Sequence, residues 1–244
     1  MIQAWRPPQP DIALAYTLVS VPAGAYITVP DGRCGLVWAD DHLWWLGPAT
    51  RPWRTPRRMR AVVGVRLAHL TGRPFAGRPL REWTDDRARL ADLVGRTEAT
   101  TLGQRLAGAV SDVARVSLLL NYVASRVSFA APQTGAAPLL EAMSQGQPVS
   151  AFAQQAGLSV RQIHRRSLEA FGMAPTTLRR VLRLHRAAAM HSSGTGSSLA
   201  QTATAAGYSD QAHLARECRR LTLTQASVAL AGGVGSVRFV QDGT

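Results

Sequence analysis

The sequence of 244 residues is long enough for two modest domains or one large one, and either arrangement can bury a sizeable core. Its 28 basic residues outnumber its 15 acidic ones, and the net charge of +13 favours a polyanionic partner. The two cysteines, Cys34 and Cys218, lie far apart and outside any Cys/His cluster, so the sequence suggests neither a disulfide framework nor a zinc site. This cysteine content favours a reducing, cytoplasmic setting.

Short apolar stretches from Ala13 to about Leu70 predict the strands of a small β domain. The stretches are AYTLVSV, GAYITV, CGLVW, HLWWL and AVVGVRL, and turn sequences such as PAG, PDGR and GPATRPW separate them. Five tryptophans fall in this part of the chain, and filling a small β core is favoured over lining a ligand pocket as their role. They are Trp5, Trp38, Trp44, Trp45 and Trp53.

Two helices are predicted next, because apolar residues recur at three and four positions over 84–95 and 99–127. Asp85 and Asp86 fall where the first turn of a helix favours negative charge. The triplet 118-LLL-120 is wide enough for burial on more than one side. It could therefore pack between domains or against a second copy of the chain, although packing in a single core is favoured.

A domain boundary is predicted at 129-FAAPQTGAAP-138, whose composition resists both helix and strand. Beyond it a helical device occurs twice, in 149-VSAFAQQAGLSVRQIHRRSLEAFG-172 and in 198-SLAQTATAAGYSDQAHLARECRRL-221. Each copy has a short helix, then Ala-Gly, then Leu or Tyr, then a serine suited to capping, then a second helix with basic residues on one face. This order is typical of a helix-turn-helix unit.

The turns of the two units have a physical cause. A glycine permits the positive φ that reverses the chain, and the residue after it fills the angle between the helices. The residues assigned to the turns and to the core beneath them are Gly157, Leu158, Ser159, Gly207, Tyr208 and Ser209.

Helical spacing predicts which side chains face outward from the second helix of each unit. In the first unit Ile163 and Phe171 point inward, and in the second Leu214 and Leu221 do so. The outward residues are then Arg161, His164 and Arg165 in the first unit and Gln211, Ala212, Ala215 and Arg216 in the second. Small and donor-bearing residues alternate there, as close approach to base edges requires.

A single helix over 176–191 is predicted to join the two units, with Leu178, Val181, Leu182, Ala188 and Ala189 on its apolar face. Its 16 residues span roughly 24 Å. A rigid spacer of that length could hold two recognition helices about one DNA turn apart, roughly 34 Å. Its arginines are expected to neutralise phosphates or to pair with nearby acids. They are Arg179, Arg180, Arg183 and Arg186.

These motifs resemble the double helix-turn-helix domain of the AraC/XylS family of bacterial transcription regulators, over about 95 residues from Ala137 to Ala231. The resemblance is carried by 155-QAGLSVRQIHRR-166, 172-GMAPTTLRRVLRLHRAA-188 and, most specifically, 205-AAGYSDQAHLARECRR-220. More weakly, the N-terminal part is similar to the cupin-like domain of some members, through VPDGRCGLVW, GPATRPW and VVGVRLA.

The resemblance implies roles for individual residues. It places Arg161, His164, Arg165, Gln211, Ala212 and Arg216 at base-reading positions. It assigns phosphate contacts to Arg166, His213, Arg219 and Arg220. The partner implied is double-stranded DNA, and the resemblance also allows RNA polymerase, an unidentified small-molecule effector and a second copy of the chain as partners.

The fold class expected is α+β, with a small cupin-like β domain followed by an all-α domain of two helix-turn-helix units joined by a long helix. The boundaries expected are a sensor domain at 1–95, a helical linker or dimerisation region at 96–135, the DNA-binding domain at 136–231 and a tail at 232–244. The function expected is that of a sequence-specific regulator that reads two successive major grooves over roughly 15–20 bp, with helices that begin near Ser159 and Asp210.

An alternative follows from two departures from the family pattern. The family usually has Phe where this chain has Ser167 and Cys218, and a Phe-to-small change in a core costs about 3–5 kcal/mol unless neighbours refill the space. The segment 221-LTLTQASVAL-230 also lacks the usual Gly and Thr-Pro. A degenerate member without specific DNA binding, acting as an effector-binding or partner-binding antagonist, is therefore the second hypothesis.

No enzyme, cofactor or metal site is expected. The adjacent acids Asp40 and Asp41, like Asp85 and Asp86, do not form a separated general acid and base. Two lone cysteines cannot supply the zinc-bound cluster of the methyltransferase module that some relatives carry. No apolar run reaches the roughly 18 residues of a membrane span, and residues 1–11 lack the pattern of a signal peptide.

Overall fold

Most strands lie in the N-terminal half of the chain and most helices in the C-terminal half. The structure is a computed structural model that describes residues 2–21, 23, 26–54, 58–127, 135–194, 198–231 and 237–239. Its strands are β1 Ile2–Trp5, β2 Ile12–Val21, β3 Tyr26–Thr28, β4 Gly35–Ala39, β5 His42–Leu46, β6 Trp53–Arg54, β7 Met59–Leu67, β8 Arg87–Arg89 and β9 Val237–Phe239. Its helices are α1 Gly72–Ala76, α2 Leu90–Val94, α3 Arg96–Ala107, α4 Asp112–Val127, α5 Ala136–Ser144, α6 Val149–Gln155, α7 Val160–Phe171, α8 Pro175–Ser192, α9 Leu199–Ala205, α10 Gln211–Thr222 and α11 Ala226–Ala231, with a 3-10 helix at Leu80–Trp83.

The described strands form two antiparallel sheets. The larger has the strand order β1-β2-β7-β4-β5-β8. The smaller has the order β6-β3-β9, so that β9 from near the C-terminal end of the sequence pairs with β3. All five apolar stretches of the sequence correspond to strands, namely β2, β3, β4, β5 and β7. The central strand β7 pairs on both sides, so that Val65 lies opposite Ala15 on β2 and Leu36 on β4. The α+β arrangement expected from the sequence is confirmed.

The tryptophans divide between core and surface. Trp45 is fully buried and stacks on Phe75 with ring centroids 5.2 Å apart, and Trp38 is nearly buried. Trp44 and Trp53 are half-buried. The side chain of Trp5 lies outside the described part of the structure. Core filling therefore explains Trp38 and Trp45, whereas Trp53 has a different environment that is described below.

The two helices predicted over 84–127 differ from those observed. The first prediction was wrong over Arg87–Arg89, which form β8 and pair with β5, leaving only α2 as helix. Asp85 and Asp86 consequently lie in a turn, where the Asp85 carboxylate accepts a hydrogen bond from the Thr50 amide at 2.7 Å. The second predicted helix is interrupted between α3 and α4, where Gly108 ends α3.

Helices α3 and α4 pack against the larger sheet and share its apolar core. The leucine triplet of α4 lies in this core, because Leu119 and Leu120 are buried and the half-buried Leu118 packs against it. Tyr122 of α4 packs against the same core and donates a hydrogen bond to Glu98 of α3 at 2.7 Å. The region predicted as a linker thus contributes directly to the N-terminal core.

The other helices from α5 to α11 surround α8. Two separate apolar cores lie along the length of α8. The first core contains Leu139, Phe171 and Leu178, and the second contains Val181 and Leu214. Helix α8 has 18 residues and spans roughly 27 Å. The predicted apolar face was wrong at Ala189, which is exposed, because the buried stripe continues through Leu184, Ala187 and Ala188.

The N-terminal half packs against the first of these cores. The Thr84 hydroxyl donates a hydrogen bond to the carbonyl of Gly172, at the end of α7, and Arg81 pairs with Glu169 at 3.5 Å. The His185 Nε2 of α8 donates to the carbonyl of Pro30 at 2.7 Å. A Cβ atom at Gly172 would lie 2.4 Å from the Pro48 ring, so this junction requires glycine.

A buried ion pair holds the loop that reaches α8. Arg66 on β7 and Asp31 in the loop are 2% and 1% exposed and form a direct salt bridge. Arg66 also donates to the carbonyl of Arg33 at 2.8 Å, and His69 donates to the carbonyl of Asp31 at 2.8 Å. Burial by itself would raise the pKa of Asp31, but Arg66 and then Arg33 outweigh it and lower the pKa to about 2.

Candidate nucleic-acid interface

The first helix-turn-helix unit consists of α6, a tight turn and α7. Gly157 has φ +63°, a left-handed conformation that glycine adopts without a steric penalty, and Leu158 packs against the core of the unit. Ser159 and Gln162 form a capping box at the start of α7. In it the Gln162 amide donates to the Ser159 hydroxyl at 3.2 Å, and the Ser159 amide donates to the Gln162 side chain at 2.8 Å.

The second unit, α9 and α10, repeats this geometry with a different cap. Gly207 has φ +79°, and Tyr208 is buried between the helices, where burial raises its pKa to about 12. The prediction that the serine caps the second helix was wrong for this unit. Asp210 is the cap and accepts a hydrogen bond from the His213 amide at 2.6 Å, which lowers the pKa of Asp210. Ser209 instead bonds Nδ1 of His213 at 3.2 Å.

The predicted faces of α7 agree with the observed burial. Ile163 and Phe171 are buried in the first core. The side chains predicted to face outward are all exposed, as is the predicted phosphate contact Arg166. These exposed residues are Arg161, His164, Arg165 and Arg166.

Helix α10 has the same division. Leu214 and Leu221 are buried, whereas Ala215 is half-buried against the second core and faces outward less than predicted. Of the residues expected to contact DNA, only His213 is partly covered, since its ring lies edge-on to Tyr208 at 5.2 Å. The others, Gln211, Ala212, Arg216, Arg219 and Arg220, are exposed.

The two positions that depart from the family pattern are both fully buried. The Ser167 hydroxyl donates to the carbonyl of Met173 at 2.8 Å, so its polar group is satisfied inside the first unit. Cys218 is buried in the apolar core of the second unit and is not part of a disulfide. Both residues therefore take part in closed cores beneath the exposed helices.

The arginines of α8 bond to the protein itself. Arg180 pairs with the nearly buried Glu217 at 3.2 Å, as the expectation of pairing with acids allowed. The expectation of phosphate contacts does not fit the other three, which donate to main-chain carbonyls at helix ends. These bonds run from Arg179 to Gln147, from Arg183 to Gly207, and from Arg186 to Ser144 and Ala206.

The positive charge of residues 136–231 is therefore concentrated on two helices. This region has ten arginines and four acidic residues. The four arginines of α8 are occupied as described, and the six on α7 and α10 are all exposed. Among the described residues no carboxylate forms an ion pair with any of these six. The second helices of the two units thus present unpaired guanidinium groups to solvent, as contact with a polyanion requires.

Comparison with known sequences agrees with this geometry. Residues 152–229 match a family described as a helix-turn-helix domain. This part of the chain is a helix-turn-helix domain of the AraC/XylS type. Domains of this type belong to DNA-binding transcription regulators, and α7 and α10 are the second helices of the two units of the present domain. Among curated proteins, none matches the chain.

Solved structures with a similar arrangement include ToxT from Vibrio cholerae. The crystal structure of ToxT from strain O395 is 9% identical, with 96% of this chain and 98% of that chain covered and a TM-score of 0.44. ToxT from strain SCE256, solved with an unsaturated fatty acid bound, is 10% identical, with 94% of both chains covered and a TM-score of 0.42.

The N-terminal half contains a cavity that the sequence did not reveal. It has a volume of about 500 Å³ and lies where β3, β5, β6 and the turn before β8 meet. Arg51, Arg54, Arg87 and Trp53 contribute to its lining. These residues are scattered over 37 positions of the sequence, and only the pairing of β8 with β5 brings Arg87 to the others.

The described residues contain neither a candidate metal-binding cluster nor a candidate membrane-spanning helix. No group of three or more His, Cys, Asp or Glu side chains in the described ranges could hold a metal ion. None of the helices in those ranges is long and apolar enough to cross a membrane.

Proposed function

We propose that the protein is a sequence-specific transcription regulator that reads two successive major grooves with α7 and α10. The observation that carries the proposal is the distribution of charge in the helix-turn-helix domain. All six arginines of the two recognition helices are exposed, while the four of α8 bond to the protein. A surface that bound DNA through charge alone would gain from every exposed arginine. In this domain the arginines of the connecting helix α8 instead bond to the protein.

The residues proposed to read base edges are those with donors or small side chains on the exposed faces. Arginine donates in a fork to guanine O6 and N7, and a small residue such as Ala212 lets the helix approach the bases closely. Arg166, Arg219, Arg220 and the partly covered His213 are proposed to contact phosphates. The base-reading set is Arg161, His164, Arg165, Gln211, Ala212 and Arg216.

Selection from a random DNA library tests this proposal. The purified full-length protein should enrich a bipartite motif of roughly 15–20 bp, and the motif should persist when the selection is repeated at higher salt. Binding that falls steeply with salt and enriches no motif would instead support an antagonist that has lost specific DNA binding.

We also propose that the arginine-lined cavity of the N-terminal half binds the effector, and that the effector is a small organic anion. The Arg87 guanidinium lies 5.8 Å from the ring of Trp53. The cavity lining thus combines an aromatic face with four arginines, which outnumber the two carboxylates of Asp85 and Asp86. A carboxylate or phosphate would be bound by the guanidinium groups, and an apolar or flat portion by the indole.

The walls of this cavity are continuous with the contact between the two halves of the chain. Gly47 and Ala49 line it, and Pro48 between them lies against Gly172 at the end of α7. Asp85 also lines it, directly after Thr84, which donates to the Gly172 carbonyl. A bound anion would therefore act on the same two segments that contact the first recognition helix.

A thermal-shift screen of the full chain against carboxylates, phosphates and their neutral analogues tests the cavity. An anionic ligand at a hundred times its Kd should stabilise the protein by about 2.7 kcal/mol, and its neutral analogue should not. Arg87→Gln should abolish most of this shift. Arg105→Gln, which changes an exposed arginine on α3 outside the cavity, should preserve it. Equal shifts in both variants would rule out the cavity as the site.

A further inference from the structure

Three arginines along α8 donate hydrogen bonds to main-chain carbonyls on both sides of the helix. Arg179 donates to the carbonyl of Gln147, between α5 and α6, at 3.3 Å. Arg183 donates to the Gly207 carbonyl in the turn between α9 and α10 at 3.3 Å and lies 4.2 Å above the Tyr208 ring. Arg186 differs from both, because its two terminal nitrogens bond to both sides, one to the end of α5 and the other to the end of α9.

The two bonds of Arg186 are short and well defined. Its Nη1 donates to the Ser144 carbonyl at the end of α5, and its Nη2 donates to the Ala206 carbonyl just after α9, both at 2.9 Å. The carbonyls at the end of a helix have no partner within the helix and form the negative end of its dipole. One half-buried guanidinium thus satisfies two such helix ends at once.

Glycines flank the guanidinium on both sides, and a Cβ atom at either would meet it only at ordinary van der Waals distance. A Cβ atom at Gly146 would lie 3.9 Å from Nη2, and one at Gly207 would lie 3.7 Å from it. Both glycines have positive φ. The turn after α5 and the turn after α9 therefore face each other across α8, with Arg186 between them.

This bridge links two bodies whose apolar cores are separate. On α8 the first core contains Leu178, with the half-buried Leu182 packed against it, and the second core contains Val181 and Leu184. The backbone of α8 connects the two cores, so bending or twisting of α8 would change the relation of α7 to α10. Arg186 joins α5, which packs in the first core, to the turn of the second unit, and these bonds oppose such a change.

We propose that Arg186 is a positioning residue that fixes the separation and relative rotation of the two recognition helices, and thereby the spacing of the two half-sites that the protein selects. The proposal rests on the proposed function. It predicts an effect of Arg186 on spacing and none on the bases preferred within each half-site, since Arg186 lies away from the exposed faces of α7 and α10.

The test measures affinity for the selected motif with its natural spacer and with spacers one or two base pairs longer or shorter. The wild-type protein should lose affinity by at least about tenfold when the spacer changes, since recognition helices on a rigid support fit one spacing. Arg186→Met keeps the apolar stem and removes both bonds. It should reduce this discrimination at least about threefold while the base preference of each half-site stays the same.

Arg179→Met is the matched control, because it removes an arginine of the same helix that bonds only the segment between α5 and α6. It should preserve the spacing discrimination. Equal loss of affinity for every spacer in Arg186→Met, with discrimination retained, would reduce Arg186 to a purely structural role and overturn the proposal.

Two further outcomes are also decisive. If Arg186→Met fails to fold, Arg186→Lys replaces it in the test. Lysine keeps the charge but has one nitrogen, so it cannot donate to both carbonyls as Arg186 does, and discrimination between spacers should still fall relative to wild type. Unchanged discrimination in that variant would overturn the proposal. If the wild-type protein selects a single half-site, the spacing role fails while DNA binding stands. If it selects no motif, the proposed function itself fails.

Discussion

Arg165→Ala and Arg216→Ala should each weaken binding to the selected DNA sequence by about 1–3 kcal/mol, or about 5- to 150-fold, and relax base preference within one half-site. Each side chain is exposed on a recognition helix and has no ion-pair partner among the described residues, so its donors are available to a base. Titration of labelled duplexes, with the selected base and with each substitution at that position, measures the effect.

The matched control for these variants is Arg220→Ala, an exposed arginine near the end of α10 that is proposed to contact phosphate. It should weaken selected and random DNA to a similar extent and reduce the dependence of affinity on salt by about one phosphate contact. If Arg165→Ala and Arg216→Ala also weaken both kinds of DNA equally, the base-reading assignment is wrong.

Local signals made most of the helix-turn-helix domain predictable from the sequence. Gly157 and Gly207 mark turns because positive φ is costly for other residues, and both have it. The amphipathic spacing of α7 and α10 placed their arginines outward, where the structure has them. These features depend on residues within one or two helical turns of each other, which a sequence displays directly.

What the sequence could not reveal depends on contacts between distant segments. Arg87–Arg89 follow a helical pattern but form a strand, because β5 offers them a sheet edge. Arg66 lies within an apolar stretch, and its partner Asp31 is 35 residues away. Neither this ion pair nor the arginine-lined cavity to which Arg66 contributes therefore had a local signal in the sequence. The arginines of α8 were expected to neutralise phosphates or to pair with acids. The sequence does not show that the carbonyls at the ends of other helices lie beside these arginines.

The second large effect concerns that buried ion pair. Arg66→Met should lower the free energy of unfolding at pH 7 by about 3–5 kcal/mol, because it leaves the buried Asp31 carboxylate with only Arg33, 3.8 Å away, as a counter-charge. The double variant Arg66→Met, Asp31→Leu should recover most of this loss, since well-packed apolar residues can replace a buried pair. Urea unfolding of the wild-type protein and both variants gives the comparison.

Acid should affect the wild-type protein and the single variant in opposite directions. In the wild type the pKa of Asp31 is about 2, below its ordinary 3.8, so the contribution of the pair is complete above about pH 4 and is lost as the pH falls towards 2. In Arg66→Met the remaining burial raises the pKa of Asp31, and lowering the pH from 7 to 5 should relieve part of the destabilisation by protonating the carboxyl group.

The loop that contains Asp31 also carries the Pro30 carbonyl bonded by His185, so the same variant should loosen the contact between the N-terminal half and α8. A loss that is the same at pH 5 and pH 7, and that the double variant does not recover, would mean that Arg66 stabilises the fold by packing alone.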